Sequence, residues 1–179
     1  MLTVNQLFKA GKMIKFQDIR NKYTEMLEAA DKEKERFQQV AEMIVCHFEK
    51  SLDLEAPAYS PLGAELTGKS ISEPYVFILA ERGEASIEFN ELKPDEKGVL
   101  AFYLCLIVDK SPISYPKKTL YSRLSLRRNG DGFTVTVGED ALETDLGKSP
   151  TEQELAGISE AAKHVMLVEL GSGVPKSKC

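Results

Sequence analysis

An apolar stretch of ten residues, 99–108, is the clearest structural signal in the chain. It reads VLAFYLCLIV and lies between Gly98 and Asp109. Its short length and its β-branched and aromatic residues favour a strand over a helix. Both faces of this strand would be apolar, so we expect it in the middle of a sheet, covered on both sides. It is too short to cross a bilayer as a helix, which needs about 20 apolar residues.

The segments before this stretch predict a β-hairpin. Residues 75–81 (YVFILAE) are apolar on both faces, and a short turn follows at 82–84. Residues 85–92 then alternate between apolar and polar positions, which is typical of a strand with one face in water. We therefore expect these two segments to pair.

A second hairpin is predicted after the central strand. Residues 119–128 and 133–137 both alternate, and the sequence NGDG between them tolerates the positive φ of a tight turn. Alternation places Tyr121, Arg123 and Arg127 on one outward face. The candidate binding surface consists of Tyr121, Arg123, Arg127, Arg128, Thr134 and Thr136. We give more weight to the simpler interpretation, a solvated sheet face whose charges discourage edge-to-edge association.

Residues 16–51 contain neither proline nor glycine and predict a long helix of about 35 residues, roughly 50 Å. Apolar side chains recur along it at steps of four and three, which places them on one face. The charged segment 31–36 (DKEKER) interrupts this face and separates two apolar patches. The residues proposed as an interface are Ile19, Tyr23, Met26, Leu27, Phe37, Val40 and Ile44.

Two arrangements explain the two patches. The helix could break near Asp31 and form two helices packed side by side. Alternatively, one patch docks on the sheet of its own chain while the other contacts a second copy, and the heptad-like spacing fits both arrangements. The break is slightly favoured because it needs no second copy.

The end of the chain predicts another helix. Its start is marked by SPTE at 149–152, which provides a capping serine, a proline for the first turn and a capping-box carboxylate. The pattern as a whole predicts an α+β fold. An antiparallel meander of five strands, or six if 139–147 forms a strand, carries the long N-terminal helix and the C-terminal helix on one face. We expect a single domain over 1–171 and a flexible tail at 172–179.

Composition and charge narrow the class of protein. The chain has 179 residues and a net charge of −5. An acidic balance makes nucleic-acid binding unfavourable, because phosphate contacts require an excess of lysine and arginine. Three cysteines without paired spacing indicate a reducing compartment, and no signal peptide is recognised at the N-terminus. We therefore expect a cytoplasmic protein without a membrane partner.

Residues with catalytic or metal-binding chemistry are sparse. His47 and His164 are the only histidines, and both lie in predicted helices without other metal ligands at a suitable spacing. His47 lies on the apolar side of its helix, so a hydrogen-bonded core or boundary histidine is expected there. The serines occur in neither a GxSxG nor an SxxK motif. The sequence therefore assigns no catalytic residue, no metal and no cofactor, and it favours a non-enzymatic protein.

The leading hypothesis is a cytoplasmic protein-binding module of the adaptor, chaperone or inhibitor type that forms a homodimer through the long helix. The alternative is a module that binds a small molecule or lipid in an apolar cavity between sheet and helix. A weaker alternative is nucleic-acid binding through the Tyr121, Arg123 and Arg127 face. The proline-rich connector at 53–74 is a candidate binding loop.

Overall fold

A computed structural model of the protein describes residues 14–61, 72–111, 114–139 and 142–172. The chain divides into two compact units, Met1–Arg36 and Phe37–Cys179. The middle of the predicted binding loop and residues 173–179 of the predicted tail lie outside the described residues.

Helix α1 spans Phe16–Ser51, beginning in the first unit and ending in the second. It continues through the charged segment, so the favoured break near Asp31 is wrong. Lysine, glutamate and arginine are good helix formers, and charges three positions apart support a helix. Arg36 and Glu33 form such a pair at 4.0 Å. A charged stretch therefore interrupts the apolar face without interrupting the helix.

The second unit contains a five-stranded antiparallel sheet in the order β3-β4-β5-β6-β7, which confirms the predicted meander. The ten-residue apolar stretch forms β4, an interior strand of this sheet that pairs with β3 and β5. The strand β7 comes from the segment for which the sequence left a strand or a helical turn open. The strands are β3 (Val76–Leu79), β4 (Val99–Val108), β5 (Lys118–Asn129), β6 (Gly132–Val137) and β7 (Leu142–Leu146).

The predicted strand at 85–92 is wrong. This segment instead contains a 3-10 helix, Phe89–Glu91, after a single backbone bond from Ile87 N–H to the Ile78 carbonyl. A capping box, in which Glu88 and Glu91 exchange side-chain and backbone hydrogen bonds, stabilises the turn. In a strand, Leu92 would lie on the face opposite to Ile87 and Phe89. Leu92 is nevertheless buried, so the alternation of apolar and polar residues does not describe this segment.

The short strands β1 (Ala58–Tyr59) and β2 (Glu73–Pro74) form a separate two-stranded sheet at the ends of the predicted connector. The last helix, α2, spans Glu152–Ser172. None of the helices in the described ranges combines the length and the hydropathy needed to span a bilayer.

The core of the second unit lies between one face of the sheet and the two helices. Residues 37–48 of α1 and the apolar face of α2 pack on this sheet face. Phe37 meets Phe133 of β6 edge-on, with 4.9 Å between ring centroids. The largest fully buried side chains include Phe37, Ile44, Phe48, Phe102, Leu104, Leu124, Ile158 and Met166. These side chains occupy the layer between sheet and helices.

Candidate binding surfaces

The first unit presents an exposed row of apolar side chains, which we name the α1 stripe. It consists of Phe16, Ile19, Tyr23, Met26 and Leu27. Their exposed fractions are 70%, 59%, 58%, 57% and 45%. The seven residues proposed as an interface thus separate into two groups. Three of them are buried in the core, namely Phe37, Val40 and Ile44, and the other four belong to the α1 stripe and face solvent.

Charged side chains lie beside the α1 stripe. The Arg20 guanidinium lies 5.0 Å from the ring centroid of Phe16. Lys22 Nζ pairs with Glu25 at 2.9 Å, and both side chains are largely exposed. Contacts of this kind in water contribute little free energy, and the apolar side chains of the α1 stripe stay exposed beside them.

The structure brings together five of the six residues of the predicted sheet surface. The register pairs Arg127 with Thr134 and Ser125 with Thr136, so the two threonines lie beside the arginines on one face. Arg123 and Arg127 are exposed, and Tyr121 is half-buried. The sixth residue, Arg128, points to the other face. Its guanidinium lies 5.1 Å from the ring centroid of Phe133 and donates to the carbonyls of Asp131 and Gly132.

Thr134 is buried and engaged inside the sheet. Its hydroxyl donates to Asp145 Oδ1 at 2.6 Å, and the Asn129 amide donates to the same oxygen at 3.1 Å. The hydrogen bond from Thr134, followed by that from Asn129, holds the pKa of Asp145 below its usual range. This threonine therefore supports the β6–β7 pair, and the sequence did not predict Asp145 as its partner.

A groove of about 670 Å³ lies beside α2, where β6 ends. Gly138 N–H donates to the Arg123 carbonyl at 2.8 Å, and β5 has no β6 neighbour beyond this point. The amide of Tyr121, on this free edge, donates instead to Glu169 Oε2 of α2 at 3.0 Å. A helix carboxylate thus satisfies a backbone donor that would otherwise lack a strand partner.

Tyr121 lines this groove and is in contact with three other side chains. The Arg82 guanidinium stacks 4.2 Å from the Tyr121 ring centroid and forms an ion pair with Glu169. Tyr103 meets the same ring edge-on at 6.5 Å. Arg123 and His164 also line the groove. Two of the residues predicted as a binding surface, Tyr121 and Arg123, therefore belong to a concave site rather than to a flat sheet face.

His47 is a hydrogen-bonded boundary residue, as its place on the apolar side of the helix predicted. Its Nδ1 lies 2.8 Å from the Ser159 hydroxyl, and its Nε2 lies 3.2 Å from Glu152 Oε1. Serine, histidine and a carboxylate in contact can form a nucleophilic site. Here Ser159 lies in α2 with 1% of its surface exposed, so its hydroxyl is shielded from solvent. The contacts join α1 to α2.

A cluster of tyrosines surrounds the ammonium group of Lys117. The Lys117 Nζ lies 4.3 Å from the ring centroid of Tyr59, 5.7 Å from that of Tyr75 and 5.3 Å from that of Tyr115. It forms an ion pair with Asp109, and both side chains are about 90% buried, with 9% and 10% exposed. Tyr59 and Tyr75 come from segments distant from Lys117, and no local pattern connects them to it, which is why the sequence did not predict the cluster.

The ionisable groups of this cluster have shifted pKa values. The hydrogen bond from Lys117 holds the pKa of Asp109 below its usual range, although burial opposes this effect. Burial, followed by a hydrogen bond to a carboxylate, raises the pKa of both Tyr59 and Tyr75. The two phenols therefore stay protonated and donate, Tyr59 to Glu73 at 2.6 Å and Tyr75 to Asp109 at 3.1 Å.

Within the described part of the chain, no group of three or more histidine, cysteine, aspartate and glutamate side chains is placed to hold a metal ion. No protein-family model, no curated protein and no solved structure matches the chain.

Proposed function

We propose that this protein is a non-enzymatic protein-binding module of the adaptor, chaperone or inhibitor type. The observation that carries the proposal is the α1 stripe, whose five apolar side chains are each at least 45% exposed. Contiguous exposed apolar patches on soluble proteins mark interaction sites. Covering the exposed part of each side chain would contribute about 1 kcal/mol, which is enough in total to drive a moderate association.

The rest of α1 supports this proposal. Phe37, Val40 and Ile44 continue the spacing of the α1 stripe and are buried in the core of the second unit. The same spacing of apolar side chains therefore runs through both halves of the helix, but these side chains are buried in one half and exposed in the other. A helix with an exposed apolar face is a common element in recognition, where it packs against a helix or a groove of the partner.

Site-specific photocrosslinking tests the proposal in cells. Benzoylphenylalanine replaces Tyr23 in the α1 stripe and, in a matched control, Glu28 on the opposite side of the same helix. The protein crosslinked from position 23 is identified by mass spectrometry, purified and titrated against the wild-type chain. We expect the double substitution Ile19→Ser/Met26→Ser to weaken its binding at least tenfold, which corresponds to about 1.4 kcal/mol.

Two results would contradict the proposal. Equal crosslinking from positions 23 and 28 would show that contact with the stripe is not specific. Unchanged affinity of the serine variant would show that the stripe is not the binding surface. The homodimer expected from the sequence stays a prediction, and light scattering over a range of protein concentrations measures it directly.

The groove beside α2 favours a second candidate function, the binding of a small molecule. Its volume of about 670 Å³ lies within the range of small-molecule sites. Native mass spectrometry of the purified protein would detect a retained ligand as added mass. Replacing Ala161 in the groove wall with tryptophan should remove that mass, whereas tryptophan in place of the exposed Lys93, away from the groove, should not. Wild-type protein without added mass, or added mass that persists in the Ala161→Trp variant, would count against this candidate.

A further inference from the structure

The side chains beside the α1 stripe indicate which kind of partner it binds. In a heptad numbered a to g, Phe16, Tyr23 and Ala30 take position a, and Ile19 and Met26 take position d. Glu33, at the next d position, ends the apolar seam. In paired helices, the e and g positions on either side of such a seam lie against the partner and set its charge preference.

The flanking positions of the seam are basic. From residue 15 to residue 36, the e and g positions carry five basic side chains, two apolar ones and no acidic one. The acidic side chains of this part of α1 lie elsewhere, at positions b, c and f and at Glu33. The residues at e and g are Lys15, Arg20, Lys22, Leu27, Ala29, Lys34 and Arg36.

This distribution disfavours a second copy of the same helix as the occupant. In a parallel pair the g residues of one helix face the e residues of the other, and in an antiparallel pair e faces e and g faces g. In both orientations every charged pair between two copies would be basic against basic. Like charges placed opposite each other suppress the wrong partner.

The basic side chains also form ion pairs within the chain, but these do not prevent them from binding an acidic partner. Lys22 and Glu25 form a pair whose side chains are 82% and 64% exposed. The pair of Arg36 and Glu33 spans 4.0 Å. Exposed pairs of this kind are worth little, so a partner carboxylate can replace or join them.

We propose that the α1 stripe binds an amphipathic helix of another protein, with apolar residues facing the stripe and glutamate or aspartate on both of its flanks. This inference rests on the proposed function and specifies its partner. The apolar seam ends after two heptads, from Phe16 to Ala30. So short a contact gives a weak, reversible complex, in which the flanking charges have a large share in choosing the partner.

Two synthetic helices provide the test. Both are three-heptad peptides with leucine at a and d and identical b, c and f residues, and they differ only in having glutamate or lysine at every e and g position. Each carries a fluorophore and is titrated with the full-length protein while anisotropy is recorded. The protein has a net charge of −5. Non-specific attraction would therefore favour the lysine peptide, so a preference for the glutamate peptide has to come from the flanks of the stripe.

We expect the glutamate peptide to bind about tenfold more tightly than the lysine peptide, and this difference should shrink as salt is added. The variant Arg20→Glu/Lys22→Glu should reverse the preference. A matched control, Lys32→Glu/Lys93→Glu, makes the same change in net charge at exposed positions outside e and g and should leave the preference unchanged. Apolar surface exposed by misfolding would bind both leucine-rich peptides alike, so a reversed preference between them does not result from misfolding.

The possible outcomes separate this inference from the proposed function. Both peptides could bind equally well, and Ile19→Ser/Met26→Ser could abolish this binding. The stripe would then be a helix-binding surface, but the inference that its partner is acidic would be overturned. Binding of neither peptide would overturn the helical partner inferred here and leave the proposed function to the crosslinking experiment. A dimer in light scattering that Ile19→Ser/Met26→Ser converts to monomer would identify the second copy as the occupant and overturn the inference. If Ile19→Ser/Met26→Ser is monomeric but less stable than the wild type, the chain covers its own stripe, and the inference is also overturned.

Discussion

The substitutions Ile44→Ala and Ile19→Ala form a matched pair on one helix. Ile44 is 1% exposed in the core of the second unit, and Ile19 is 59% exposed on the first. Replacing a buried isoleucine with alanine removes three carbons at about 0.8 kcal/mol each, and the remaining cavity brings the usual cost to about 2–5 kcal/mol. At position 19 little burial is lost and alanine is the better helix former, so we expect a change within about 0.5 kcal/mol.

Urea unfolding followed by far-UV circular dichroism measures both variants, because the chain contains no tryptophan to serve as a fluorescent probe. In thermal unfolding, a loss of about 3 kcal/mol should lower the Tm of Ile44→Ala by roughly 6–12 °C. A cost below about 1 kcal/mol for Ile44→Ala would contradict the packing of α1 on the sheet. A similar loss of unfolding free energy for Ile19→Ala would show that the α1 stripe is not exposed. If that loss grows with protein concentration, a second copy of the chain covers the stripe.

Three further predictions concern the sheet and the tyrosine cluster. Gly132→Ala should cost more in urea unfolding than Gly130→Ala, because a Cβ at 132 would lie 2.0 Å from a β7 carbonyl oxygen. Gly130→Ala has open space and adds only the strain of its φ of +57°, about 1–2 kcal/mol. Hydrogen bonds hold the pKa of Asp145 below its usual 3.8. Its contribution is therefore complete near neutral pH and is lost as pH falls through the lowered folded value. The stability gap between wild type and Asp145→Asn in urea unfolding should therefore narrow as pH falls below 3.8. Lys117→Met should lower the Tm although it keeps the side-chain length, because Asp109 would stay buried without its cation; an unchanged Tm would contradict the buried pair.

The sequence predicted the elements whose burial pattern is local. Ten consecutive apolar residues identified β4, and the glycines of the 129–132 turn identified the hairpin of β5 and β6. The strand predicted at 85–92 was wrong because Glu88 and Glu91 form a local capping box, which competes with the alternation of apolar residues. The break near Asp31 was wrong because charge on a helix face limits packing and not helix formation.

The groove beside α2 and the tyrosine cluster were harder to predict than the α1 stripe, because long-range contacts create them. Alternation correctly placed Tyr121 and Arg123 on one face, but their groove depends on the crossing of α2, whose Glu169 binds the Tyr121 amide. Lys117 follows Tyr115 closely in the sequence, but the other two rings around its ammonium group, Tyr59 and Tyr75, come from distant segments. Only the tertiary fold shows that Lys117 and Asp109 are buried as a pair.

The arrangement of charge along the first half of α1 resolves a difficulty that an exposed apolar stripe creates. Such a stripe would associate with its own copies at high concentration, since identical seams fit each other in size and spacing. Basic side chains on both flanks make this self-pairing electrostatically unfavourable in either orientation, while they attract a helix with acidic flanks. The basic residues that prevent self-pairing therefore also select the partner that covers the stripe.

The variant Arg20→Glu/Lys22→Glu should do more than weaken binding of the acidic partner. It places carboxylates opposite the remaining basic flanks of a second copy, so it should raise the apparent mass in light scattering at high protein concentration. A variant that loses the acidic partner and stays monomeric at every concentration would show that the basic flanks do not suppress self-association.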